Sequence, residues 1–407
     1  MAAASSGEAG ASVPVRVRVV GVLGVTQILG WGSTYYLPAV LGAPIADHTG
    51  WPLAAVVGGL SWAMIVAGIA APRVGRTIDR YGGRWVLAAS SLILASGLAI
   101  LGAAGNLATY YAAWTCLGLG MASGLYDAAF STIGRLLGAA ARPSITGLTL
   151  IAGFASTVAW PAITLLEQWL GWRGTCFLLA GLHAGVGTAL HLLFLPSVPP
   201  AAPAATPPAP GRRRLLAGID RRFLLLTTAF TLFAFVATTL SVHILELVRA
   251  LGLDAVAAVA VGMVIGPAQV AARLVEFTFG RSLHPVWTAR CGMALNLLGI
   301  AMLAIVSGPA TAVVATAFYG AGNGILTIAR GTLPLALFGA EGYGARMGLM
   351  ARPGLVAQAL APIALAPVLE HFGPLAFIGC CVVLALGALL AFALLRPPAA
   401  AADGPPP

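Results

Sequence analysis

The sequence predicts an all-α membrane protein, with twelve transmembrane helices in two pseudo-symmetric six-helix halves. Three observations carry this reading. Only 8% of the 407 residues are charged and 59% are hydrophobic, whereas an average soluble domain is about 25% charged, so the mean hydropathy of +0.94 points to lipid as the solvent. Apolar stretches of the roughly 20 residues needed to cross a bilayer recur along the whole chain. A proline- and arginine-rich segment then divides them into two sets of six.

The elements follow in order. Residues 1–16 form a polar tail ending at Arg16, with Arg18 just beyond. The apolar run behind it is too long for a secretory leader and has no small-residue cleavage site, so the tail is expected to be cytoplasmic. Spans are predicted at 17–41, 52–72, 84–104, 107–134, 144–166 and 173–195, a first half covering 17–195. Residues 196–221 are a linker that proline keeps from being helical throughout. The second half, 222–395, has spans at 222–246, 255–280, 285–307, 310–338, 345–369 and 372–395, and 396–407 is a second cytoplasmic tail. The 51 glycines and 27 prolines are scattered through apolar runs, which excludes a disordered chain.

Orientation follows from the arginines, the chain's sole basic residues apart from histidine. Arg16, Arg18, Arg73, Arg76, Arg80, Arg84, Arg135, Arg142, the run from Arg212 to Arg222, Arg281, Arg290, Arg346 and Arg396 fall in loops on one side. Arg173 and Arg249 fall on the other, with Asp47, Glu167, Glu246, Asp254 and Glu370. Basic loops stay in the cytoplasm, so both termini and the linker are expected there, in a bacterial inner membrane. The same distribution explains the net charge of +10 and argues against nucleic-acid binding. The five cysteines lie in or beside apolar runs without metal-type or disulfide-type spacing, and no cofactor is expected.

An internal repeat supports two related halves. Gly147-Leu148 stands before Pro161 as Gly348-Leu349 stands before Pro362, and Leu166-Glu167 before Gly171 as Leu369-Glu370 before Gly373. Gly75-Arg76 and Gly280-Arg281 stand in the loops after the second helix of a triplet, 205 positions apart. Paired repeats with a site at the bilayer midplane are the architecture of many secondary transporters.

The loop between spans two and three reads Gly75-Arg-Thr-Ile-Asp79-Arg80-Tyr-Gly82-Gly83-Arg84. It resembles the G-x-x-x-D-R/K-x-G-R-R/K signature of the major facilitator superfamily, with Gly83 where an arginine is usual. Asp79 is suited to cap the next helix, and the arginines to bridge to acids on neighbouring helices. The resemblance implies a latch made by Gly75, Asp79, Arg80, Gly82 and Arg84, with Asp127 as the acid near the cytoplasmic end of span four. Gln27-Ile-Leu-Gly30-Trp31-Gly32-Ser-Thr-Tyr35-Tyr36-Leu37-Pro38, Gly50-Trp51, and Arg142 with Gly147, Gly153 and Pro161 resemble the bacterial monocarboxylate-porter-like and oxalate/formate-antiporter-like branch. Two departures bear on mechanism: Trp114 stands four residues before Gly118-Leu119-Gly120, where many proton-coupled members carry arginine, and Trp160-Pro161 replaces the glycine-proline pair of drug antiporters.

Ionisable groups at membrane depth are costly, so they mark function by default. Arg273 lies in span eight with Gln269 and Glu276 on its face. Its guanidinium fork matches a carboxylate, the role that the resemblance implies, and pairing with Glu276 is the structural alternative. Glu276 and Asp127 are the candidates for a coupling proton. Gln27, Trp31 and Tyr35 recur every four residues as one stripe, and with Tyr126, Asn323 and Arg330 they are candidate cavity residues. His243 and Gln358 read as interhelical hydrogen bonds, and adjacent helical positions such as Cys380 and Cys381 point about 100° apart, against a shared thiol site.

These features predict a monomeric secondary active transporter that moves a small organic solute by alternating access. An organic anion such as a monocarboxylate is the expected solute, with a co-transported proton or exchanged anion. The rival is efflux of a drug or toxic compound, arsenicals included. An enzyme or a non-transporting receptor is disfavoured, because the chain has no G-x-x-x-x-G-K-S/T, H-E-x-x-H or G-x-S-x-G element and no appended soluble domain.

Overall fold

With no water in the hydrocarbon layer, backbone amides must pair within their own segment, and the chain answers with helices wherever it stays apolar. The computed structural model describes residues 13–197, 220–280 and 283–396. Most of both tails and of the linker, including Arg212 to Arg214, and Arg281 lie outside the described residues.

The first half begins with α1 (Val13–Gly32) and α2 (Leu37–Thr49), one span broken at residues 33–36. The break has a local cause. Pro38 has no N–H for the carbonyl four residues back, and Ser33 and Thr34 hydroxyls donate to Leu29 O and Gly30 O at 2.7 and 2.6 Å. Next come α3 (Leu53–Tyr81), α4 (Gly83–Ala103) and a fourth span made of α5 (Leu107–Gly124) and α6 (Tyr126–Leu137), parted at Leu125. Then α7 (Arg142–Ala152) and α8 (Ala155–Leu182) run through one π-helical turn, His183–Gly187, into α9 (Thr188–Phe194).

The second half comprises α10 (Arg221–Ala250), α11 (Ala255–Phe279), α12 (Pro285–Leu303), α13 (Pro309–Phe338) and α14 (Tyr343–Leu394). Asp220 and Asp254 cap α10 and α11, accepting from Phe223 N and Ala257 N at 2.8 Å each.

Nine helical runs among the described residues are long and apolar enough to cross a membrane. Two of them are double-length. Arg142–Phe194 is broken at Gly171 (φ 65°, ψ 172°) and Tyr343–Leu394 at Gly373 (φ 80°, ψ 177°). Only glycine adopts such angles without strain, and these two glycines hold equivalent places in the internal repeat. With both runs divided and the α5–α6 span added, the helices among the described residues are consistent with twelve spans.

One expectation needs correction. The stretch from Gly75 to Tyr81 is not a loop: α3 runs nine residues past position 72, and the chain turns only at Gly82 (φ 81°, ψ 166°). Helical hydrogen bonds do not end where the lipid ends, so loss of hydropathy marked the membrane boundary and not the helix boundary.

The chain forms two compact units, Met1–Ala201 with Ala340–Leu349, and Ala202–Gly339 with Met350–Pro407. In the first, α5 packs on α3 and α4 around fully buried Trp114 and Tyr110, whose hydroxyl donates to Val56 O at 2.6 Å. In the second, α13 lies between α11 and α12. The small residues of α13 allow this: a Cβ on Gly322 would come 2.5 Å from Asn296 N, and one on Gly324 would overlap Gln269 O. Arg290 closes the end of α14, donating to Ala393 O and Leu395 O at 2.8 and 2.7 Å. Large apolar side chains face outward, Val256, Phe279 and Ile305 among them, as lipid-facing helices require.

Candidate functional site

Three groups of predicted residues can be placed, two in the first unit and one in the second. The first is a ring cluster at the break in span one. Trp31 ends α1, and its ring lies 5.4 Å from Tyr35, 6.4 Å from Tyr36 and 5.1 Å from Tyr126. Tyr126 stacks on Phe130 at 5.1 Å and 12°, and Tyr36 meets Trp160 edge-on at 5.8 Å. The two span breaks bring these rings together, because each lets an aromatic residue leave the helical ladder. Gln27 stands behind them, fully buried: its Nε2 donates to Gly124 O at 2.6 Å and its Oε1 accepts from Trp31 Nε1 at 3.1 Å. Gly124 is the last residue of α5, so the glutamine satisfies a carbonyl that the break leaves outside the ladder.

The second group is the signature segment. Asp79 does not cap α4. Its Oδ1 accepts from Gly344 N at 2.8 Å and its Oδ2 from Ala345 N at 2.7 Å, the first turn of α14, while Arg135 Nε donates to Asp79 O at 3.1 Å. Gly75 and Gly344 make this approach possible, since a Cβ on Gly75 would overlap Gly344 O. A carboxylate bonded to two amides at a helix N-terminus also opposes the helix dipole. On span four it is Arg135 that contacts Asp79, and Asp127 sits in the first turn of α6, eight residues and about 12 Å earlier at 1.5 Å per residue. Arg80 and Arg84 lie against the rings of Tyr81 and Trp85, at 5.0 and 5.5 Å.

The third group is polar and lies between α11, α12 and α13. Arg273 is buried, only 4% exposed; its Nε donates to Gly324 O at 3.4 Å, and its Nη2 to Gln269 Oε1 at 3.3 Å and Thr327 Oγ1 at 3.5 Å. These three bonds are long. Thr327 in turn donates to Asn323 O, and Asn323 Oδ1 accepts from Asn296 Nδ2 at 2.9 Å. Glu276 is buried toward the end of α11, where a Cβ on Gly280 would meet its Cγ at 2.9 Å. Arg330 is half-buried two turns beyond Asn323. His243 bonds to Pro362 O at 3.0 Å, and Gln358 Nε2 donates to Gly354 O at 3.4 Å.

Three side chains escaped the sequence reading. Arg352, exposed on α14, lines a cavity of about 470 Å³ with Phe235, Pro353, Val356, Ala357 and Leu360. A count of charges inside span eleven would have found it. His183 and His191, each 2% exposed in span six, bond to hydroxyls of spans one and three. Their i, i+8 spacing straddles a π-helical turn, which no apolar pattern announces.

A family described as the Major Facilitator Superfamily matches residues 23–284. No curated protein gives a significant match. Solved structures match over nearly their whole length. The human organic anion transporter TETRAN aligns with a TM-score of 0.75 at 16% identity, covering 93% of this chain and 99% of that one. The proton:xylose symporter XylE aligns at 0.73 and 13% identity, covering 94% and 96%. The Escherichia coli fucose:proton symporter FucP aligns at 0.70 and 14%, covering 92% and 97%.

Proposed function

The chain belongs to the major facilitator superfamily, whose members are membrane carriers and not enzymes, and from that premise we propose that it is a secondary active transporter of a small organic anion such as a monocarboxylate. The observation that carries the substrate class is Arg273, a permanently charged group buried at membrane depth among the polar side chains of Gln269 and Thr327. Burying a cation there is expensive, and a guanidinium presents the planar fork that forms two parallel bonds to a carboxylate. Arg352, beside a cavity in the same unit, adds a second positive charge to the balance. TETRAN, described as an organic anion transporter, has the same fold at an identity too low to carry its substrate across.

Gln269 and Thr327 then position the guanidinium, with Asn323 and Arg330 further along the same helix face. In this reading both termini lie in the cytoplasm, the membrane is a bacterial inner membrane, and the monomer is the working unit. In the first unit, the contact of Asp79 with the amides of Gly344 and Ala345 is the latch whose making and breaking accompanies alternating access.

A second reading has one observation in its favour. The cluster of Trp31, Tyr35, Tyr36, Tyr126 and Trp160 suits a flat apolar or cationic compound, as in efflux of a drug or toxic agent. A thermal-shift panel on purified protein separates the two. Lactate, oxalate and benzoate stabilising wild type but not Arg273→Ala supports the anion carrier. Stabilisation by tetraphenylphosphonium, with no response to the three carboxylates, transfers the assignment to efflux.

A further inference from the structure

The most unusual intramembrane chemistry in the first unit lies outside the groups already described. His191 Nε2 is 3.1 Å from Thr26 Oγ1 and its Nδ1 is 3.1 Å from Ser91 Oγ; His183 Nε2 is 2.7 Å from Ser33 Oγ. Spans one, three and six are thus joined by two imidazoles and three hydroxyls, all five side chains buried.

The hydrogen positions follow from the hydroxyls. Thr26 already donates to Val22 O at 3.1 Å, and Ser33 to Leu29 O at 2.7 Å. Their oxygens therefore accept, and both rings carry their proton on Nε2. That leaves Nδ1 of His191 as a bare lone pair facing Ser91, whose hydroxyl has a second acceptor in Leu87 O at 3.4 Å; the Leu87 carbonyl also faces the ring. When a proton arrives on Nδ1, the new N–H donates to Ser91 Oγ, and the serine proton turns to Leu87 O. One hydroxyl rotation satisfies both charge states, with no donor or acceptor lost.

The second ring shares this space. A Cβ on Gly187 would stand 3.0 Å from Ser91 Oγ and 3.7 Å from His183 Nδ1, so the glycine keeps open the gap between Ser91 and His183. His183 opens the π-helical turn, and its partner Ser33 is the first residue of the break in span one. Two locally irregular backbones therefore meet through one hydrogen bond. Charged groups on the packed helices are Arg16 and Arg18 near the start of α1, Arg84 at the start of α4, and Glu167 and Arg173 on either side of the Gly171 break in α8. Cys176 stands two turns before His183, and no carboxylate bonds to either ring among the described residues.

We propose that His191 and His183 form a proton-binding site, in which Ser91 is the rotor that lets His191 take the proton on Nδ1. This places a proton in the first unit without Asp127 or Glu276. It depends on no solute, so it stands or falls separately from the Arg273 assignment.

The test uses the full chain in detergent, labelled with ¹⁵N-histidine, and the proton itself as probe. Six histidines are present, and the His183 and His191 signals are assigned with His183→Gln and His191→Gln. Between about pH 4 and 9 at least one of the two rings is expected to change protonation state. Ser91→Ala, which removes the rotor and little volume, is expected to weaken proton binding about tenfold, a shift of about one pH unit. Either both rings holding one state across the range or an unmoved midpoint in Ser91→Ala overturns the proposal. Neither readout needs a histidine variant to fold beyond the singles used for assignment.

Discussion

Asp79→Asn isolates the charge in the contact between the end of α3 and the start of α14. In wild type the carboxylate accepts from Gly344 N and Ala345 N at 2.8 and 2.7 Å. The asparagine keeps one acceptor and turns an NH₂ group toward the second amide, so one charge-assisted bond is lost and the anion leaves the helix N-terminus. A hydrogen bond to a charged group contributes about 1.5–3 kcal/mol, and the carboxylate at the dipole about 0.3–1 kcal/mol more. Asp79 is half-buried, so the lower part of that range applies: about 2 kcal/mol, a factor of about 30 in the equilibrium between the contact made and broken. Spin labels at exposed Thr77 and Glu341 read that equilibrium as the ratio of short to long separations. The ratio is expected to fall about thirtyfold in Asp79→Asn while the ranking of bound solutes stays that of wild type. An unchanged ratio would refute the capping argument, and a changed solute ranking would move Asp79 into the binding site.

Other substitutions test the remaining geometry. Arg273→Lys keeps the charge and loses the planar fork, and carboxylate binding measured by calorimetry is expected to weaken about tenfold or more, against little change for a point-charge role. Gln27→Met strands Gly124 O and Trp31 Nε1, and chemical unfolding is expected to show a loss of about 1–3 kcal/mol. Gly324→Ala forces a methyl group against Gln269 O and is expected to destabilise by about 1–3 kcal/mol, seen as a lower Tm, with Arg273 displaced and carboxylate binding reduced in step.

Most of the fold was legible because lipid imposes it. Hydropathy marked the spans, and the offset between Gly171 and Gly373 marked the repeat, since a positive φ leaves a glycine that nothing else can replace. Helix limits were less legible, as α3 shows: hydropathy ends near position 72 while hydrogen bonding continues to Tyr81. The ring cluster was half visible. Gln27, Trp31 and Tyr35 share a helical stripe, but the breaks at residues 33–36 and at Leu125 recruit Tyr36 and Trp160 and turn Gln27 to a backbone carbonyl. Asp79 was singled out correctly as a cap and assigned the wrong helix, because its partner amides are 265 residues away in sequence. His183 and His191 were missed because a histidine in an apolar run has the same local pattern whether it meets a hydroxyl or not.

The measurement that bears most directly on the central claim is uptake of radiolabelled carboxylates into proteoliposomes containing the purified full chain. Wild type is expected to accumulate at least one of lactate, oxalate or benzoate above empty vesicles, and Arg273→Ala to fall to the level of empty vesicles while retaining its fold by circular dichroism. Uptake by Arg273→Ala equal to wild type, or wild-type transport confined to neutral or cationic compounds, would contradict the account of this protein as an organic anion carrier.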